Sequence, residues 1–188
     1  MGVHRDMGVH RDMGIRIHRE KNIMSAPTVE ELITKFDLQP HPEGGCFSET
    51  YRSGLQVAAP CGDRAASTAI KFLITPGSVS RLHKLNADEC WHFYLGGPMT
   101  VIEIDKTGGL TKTTLGRDVL NGEKVQHVVR AGVWFGSYPN EGSSYSFVGC
   151  TVAPGFEFVD FELASRANLV AEYPQHEGEI VKLTEGLP

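Results

Sequence analysis

From Ser67 onward the chain is a succession of short segments rich in β-branched and aromatic residues: "STAIKFLIT", "MTVIEI", "TKTTL", "KVQHVV", "SYSFVGCTV" and "FEFVDFEL". Most alternate apolar with polar positions, and Gly, Pro, Asn or Asp separates them, which is the pattern of strands joined by turns. Many short strands at close spacing predict an all-β sandwich or barrel. Only one stretch before them has helical spacing: Val29, Leu32, Ile33 and Phe36 recur at three and four residues, with Thr28 and Glu31 forming a capping box. It predicts one short helix ending before Pro40. A brief helix is expected at Ser165–Tyr173, and "YPQHEGEIVKLTEG" reads as a terminal strand or arm.

Composition narrows the class without changing this picture. A chain of 188 residues, 40% hydrophobic and 22% charged, has the proportions of one globular domain. Its net charge of −5 is unsuited to the phosphate backbone, so no nucleic-acid partner is expected. No apolar run approaches the roughly 18 residues of a membrane helix, and no membrane partner is expected. Four cysteines without C-x-x-C spacing, and no signal peptide, predict free thiols and a cytoplasmic location. The first 24 residues carry a repeat, "MGVHRD" at Met1 and Met7 with a degraded copy from Met13. This cationic tail, bearing His4, His10 and His18, is expected to lack its own fold, leaving residues 25–188 as a single domain.

The candidate chemistry lies in "RLHKLNADECWHFYLGG". Gly77, His83, Glu89 and Gly96 keep the spacing G-x5-H-x-H-x3-E-x6-G of the first cupin motif, with Leu85 where the second histidine belongs. In "RAGVWF" only Gly132 is kept of the second motif, P-x-G-x-x-H; Arg130 and Phe135 replace its proline and histidine. Together with "HPEGGCFSETYRS" and "FVGCTVAPGFEFVDFEL", these stretches resemble the cupin-5 family, a branch of the RmlC-like cupins, from about Pro27 to Leu183. The resemblance implies a double-stranded β-helix, or jelly-roll, with a short N-terminal helix, and a homodimer.

Alternation along strands places Arg81, His83 and Leu85 on one face, and Glu89, Trp91 and Phe93 on one face of the next strand. By the resemblance, both faces look into the barrel. One histidine and one carboxylate fall short of the three protein ligands that a catalytic metal wants, so no metal and no cofactor are expected. His92 has the wrong parity to help, and His127 has no assigned face. The remaining imidazole and carboxyl suit acid–base work, or only the orientation of a ligand. Phe47, Glu49 and Tyr51 share a face of "CFSETYR", and "GGCFSE" is similar to the G-x-F-x-E element of sugar-nucleotide epimerases. Lys71 points inward if Ile70 and Phe72 pack outside. Phe156, Phe158 and Asp160 share a face of the last strand if no bulge intervenes, and either Trp134 or Phe135 is expected at the pocket mouth.

The expected catalytic set is therefore His83, Glu89 and Tyr51. The expected ligand-binding set is Glu49, Lys71, Arg81, Leu85, Trp91, Phe93, Trp134, Phe135, Phe158 and Asp160. The expected partner is a small polar or carbohydrate-like molecule inside the barrel. Three functions compete: a metal-independent sugar or sugar-nucleotide isomerase or epimerase using His83 as acid or base, a binding protein without turnover, and a metal-dependent cupin enzyme.

Overall fold

The computed structural model describes residues 25–60 and 62–184. The repeat-bearing tail and Cys61 lie outside them, so the expectations for both do too. Among the described residues the strands are β1 (Gln39–Pro40), β2 (Cys46–Arg52), β3 (Gln56–Val57), β4 (Arg64–Ala65), β5 (Thr68–Ile74), β6 (Ser80–Leu85), β7 (Asp88–Gly96), β8 (Met99–Ile104), β9 (Leu110–Leu115), β10 (Gln126–Val129), β11 (Trp134–Pro139), β12 (Ser146–Ala153) and β13 (Phe161–Leu163). The order β1-β2-β5-β12-β7-β10 forms one sheet and β13-β6-β11-β8-β9 the other, while β3 and β4 pair separately. Neighbouring strands are antiparallel. The two sheets face each other as a jelly-roll.

Period-two alternation decides what each sheet buries. Ile70, Phe72 and Ile74 of β5 and Val148, Cys150 and Val152 of β12 meet Leu85, Met99, Val101 and Phe135 of the opposite sheet. The alternate residues face outward: Leu73 and Phe147 pack beneath the helix α1 (Val29–Phe36), and Ile102 and Ile104 pack beneath the C-terminal helices. The parity of β5 is thus opposite to the one that would turn Lys71 inward. Its Nζ lies 4.9 Å from the centroid of Phe36 in α1, on the outer face. Helix α1 has the expected capping box between Thr28 and Glu31.

Two elements differ from their sequence pattern. The terminal segment is helical rather than extended: after α2 (Arg166–Glu172) comes α3 (Glu177–Lys182), and Ile180 and Leu183, three residues apart, cover Leu82, Ile102 and Ile104. Burial of that one-sided stripe outweighs the β-branched character of Ile180 and Val181. In "FEFVDFEL", a 3-10 turn at Phe158–Asp160 precedes β13 and breaks the shared face of Phe156, Phe158 and Asp160. Cys46, Cys90 and Cys150 carry free thiols. No helix among the described residues is long and apolar enough to cross a membrane.

Candidate functional site

One end of the barrel holds a cavity of about 90 Å³ reached from solvent past Arg52, Glu157 and Phe158. Its floor and walls come from β2, β5, β6, β7 and β12, and from the turn between β1 and β2. That turn, "HPEGG", folds back over β6. Gly44 (φ +107°) and Gly45 (φ +67°) take left-handed conformations, and a Cβ on Gly44 would lie 2.1 Å from the Val79 carbonyl oxygen, so only glycine permits this approach. The Arg81 N–H donates to the Glu43 carbonyl at 2.7 Å, and the Gly45 N–H to Ser78 Oγ at 3.3 Å. The turn thereby inserts His41 and Glu43 beside His83.

The hydrogen bonds assign both histidine tautomers. Nδ1 of His83 lies 2.7 Å from the Arg81 carbonyl oxygen, which can only accept, so Nδ1 carries the proton and Nε2 offers a lone pair. Nδ1 of His41 accepts from the Glu43 N–H at 3.2 Å, so in this neutral ring Nε2 is protonated. His83 Nε2 and His41 Nδ1 then face the same atom, Glu43 Oε2, at 3.4 and 3.5 Å. Glu43 Oε1 accepts from Ser80 Oγ at 2.8 Å. Both rings thus bring a lone pair toward one oxygen of Glu43.

Burial drives the electrostatics. His83 is 2% exposed, with its ring 4.0 Å from that of Phe135; the loss of water lowers its pKa to about 4 and the Arg81 carbonyl only partly opposes this. The nearby carboxyl groups do not outweigh this loss of water, and the ring stays neutral at pH 7. Burial also lowers the pKa of His41, the Glu43 charge opposing. Glu89 is pushed up to about 8, first by burial and then by Glu43, while a bond with the Cys150 thiol opposes. Burial likewise raises Glu43. At neutral pH the resting cavity thus presents uncharged imidazoles and a carboxylic acid at Glu89.

Of the residues expected from sequence, His83, Glu89, Glu49, Leu85 and Phe158 line this cavity. Trp91, Phe93 and Phe135 belong to the core around it. Five lie elsewhere. Thr50 is an extra residue between Glu49, opposite Ile70, and Tyr51, opposite Ala69; the bulge turns Tyr51 outward, 55% exposed, and brings Arg52 to the mouth. A second bulge sets Gly136 opposite both Arg81 and Leu82, so Ser80 rather than Arg81 joins the face of His83, and an Arg81 guanidinium N–H donates to the Pro42 carbonyl. Trp134 faces the C-terminal helices with Lys84 Nζ 4.4 Å over its ring. Asp160 accepts from Arg64 at 2.6 Å after the 3-10 turn diverts it. Lys71 is on the outer face, as described. His92 also faces out, bonded to Thr151, whereas His127 turns inward to pair with Glu103.

Sequence pattern missed His41, Glu43, Arg52 and Cys150. The available signal for the first two was a His and a Glu next to a glycine pair in a turn, since constrained loops carry function. No group of three or more His, Cys, Asp or Glu among the described residues is placed to hold a metal ion. The histidine nitrogens converge on Glu43 instead.

Known proteins place this arrangement. Residues 30–164 match the family described as Cupin_5, Cupin superfamily (DUF985). The uncharacterized protein YML079W of Saccharomyces cerevisiae is 33% identical over 148 residues, 71% of this chain and 73% of its own length. A hypothetical protein from Leishmania major is similar in structure, with a TM-score of 0.79 and 38% identity over 84% of this chain and 98% of its own. Protein SO0799 from Shewanella oneidensis gives a TM-score of 0.78 and 41% identity over 84% and 97%. With its jelly-roll, its surviving His83 and Glu89 and these matches, the chain belongs to the cupin-5 family.

Proposed function

We propose that the barrel binds a small polar molecule and moves a proton on it without a metal, as an isomerase or epimerase. The observation that carries this reading is the unprotonated Nε2 of His83 beside Glu43, in a cavity that also holds a neutral carboxyl at Glu89. His83 Nε2 removes a proton from carbon next to a carbonyl. The Glu89 O–H donates to the carbonyl oxygen as it gains charge, the role a buried neutral carboxylic acid suits. Glu43 offsets the imidazolium that forms, and the imidazolium returns the proton to a neighbouring carbon or, in an epimerisation, a solvent proton reaches the other face. Tyr51 takes no part.

A binding protein without turnover is the second reading, favoured by the apolar wall of Phe47, Ile70 and Leu85. Mass spectrometry of any molecule that copurifies with the protein supplies a ligand, which is then incubated with the protein in D2O. Proton transfer predicts deuterium at the carbon next to the carbonyl, lost in His83→Ala while binding persists. Binding without exchange in the native chain would refute catalysis.

A further inference from the structure

We infer that the ligand of this barrel is uncharged, and that the cavity turns away phosphates and carboxylates, sugar nucleotides included. The inference deepens the proposed function and rests on its cavity. Among the described residues lining that cavity, Arg52 is the only lysine or arginine. Its guanidinium is already committed. Nε and one terminal nitrogen donate to the two Glu49 oxygens at 3.0 and 2.8 Å, and the other terminal nitrogen donates to Glu157 at 2.6 Å. A further bond reaches the Phe156 carbonyl at 3.3 Å. Two carboxylates against one guanidinium leave the mouth with an excess negative charge, and an arriving anion must displace one of them to reach the cation.

Deeper in, the polar groups are equally unsuited to an anion. Glu43 and Glu89 bring two more carboxyls, His83 turns a lone pair inward, and the Lys71 amine is on the far side of the sheet. A neutral hydroxyl or amide has the proton that Nε2 of His83 accepts and an oxygen to which protonated Glu89 donates, with Phe47, Ile70 and Leu85 covering its apolar part; a phosphate dianion or carboxylate has no proton to give His83 and faces Glu43. The volume of about 90 Å³ is well below the roughly 300 Å³ at which ordinary ligand pockets begin, so a whole nucleotide is too large for the interior.

Matched probes test the inference on the full chain: acetamide against acetate, benzamide against benzoate, and glucose against glucose 6-phosphate, by saturation-transfer NMR and titration calorimetry at pH 7. In each pair that binds, the neutral member is expected to bind at least about tenfold more tightly, since a bare anion meets like charge in a site of low polarisability. Glu157→Gln, which removes one of the two negative charges facing Arg52, is expected to improve binding of the anionic members several-fold relative to their neutral counterparts. Equal or tighter binding of the anions by the native chain overturns the inference and leaves the proposed function standing. If the neutral probes bind without shifting the His41 and His83 ring resonances, or no probe binds at tens of millimolar, the cavity is not the recognition site and both fall.

Discussion

Replacing Glu89 by glutamine keeps the shape of the side chain and removes its proton equilibrium. Glu89 is 7% exposed, and its carboxyl goes from an ordinary value of 4.5 to about 8 in the fold. A raised folded value means that the native protein holds this proton more tightly than the unfolded chain. The contribution to stability is therefore complete below pH 4.5 and is lost as the pH climbs to 8, at about 1.4 kcal/mol per pH unit, accumulating to about 5 kcal/mol. His83 works in the opposite sense: its folded value of about 4 lies below the ordinary 6.5, so its burial as a neutral ring adds stability as the pH rises between those limits. The wild-type profile alone mixes the two, whereas the difference between wild type and Glu89→Gln isolates the carboxyl. Urea unfolding of both proteins at pH 5, 6, 7 and 8 measures it. The variant should gain on the wild type at every step, by several kcal/mol in all between pH 5 and pH 8. A difference that stays constant with pH would refute the assignment of Glu89 as a buried acid.

Other consequences follow from the same geometry. Nitrogen-15 NMR should show the His83 ring neutral from pH 8 down to about 5 with the proton on Nδ1, and an Nε2-protonated ring would contradict the bond to the Arg81 carbonyl. Phe135→Ala removes a ring 1% exposed that packs on His83, and should cost roughly 3–5 kcal/mol by chemical denaturation; a loss below about 1 kcal/mol would show that the ring is not part of the packed floor. Gly44→Ala forces a Cβ against the Val79 carbonyl, so a lowered melting temperature and perturbed His41 and His83 resonances are expected, and an unchanged spectrum would argue against the turn as drawn. Tyr51→Phe should leave ligand affinity within about twofold, because the hydroxyl is remote from the cavity; a larger loss would restore tyrosine to the site.

The strands were legible because one face of each is buried, and burial writes itself into alternation at Ile70, Phe72 and Ile74 or at Val148, Cys150 and Val152. Helix α1 was legible from its capping box, whose two hydrogen bonds are local in sequence. Parity failed wherever a residue was inserted: nothing in "CFSETYR" marks Thr50 as the bulge that exchanges Tyr51 for Arg52, and nothing in "SRLHKL" marks the irregularity opposite Gly136. Helix α3 was misread because its stability comes from Leu82, Ile102 and Ile104, far away in the chain. The candidate site was half legible. His83 and Glu89 sit in a regular spacing, but Glu43 meets His83 only because a turn folds forty residues back onto β6.

That turn has an evolutionary reading. Two groups that set the proton inventory of the cavity, His41 and Glu43, ride on five residues held chiefly by main-chain bonds and by Ser78 and Ser80, while the jelly-roll core is built without them. The segment is an exchangeable cassette on a fixed chassis. Because Gly44 and Gly45 are fixed by the turn itself, a change of chemistry there must fall on His41 and Glu43, and transplanting the turn should carry its acid–base character from one barrel to another.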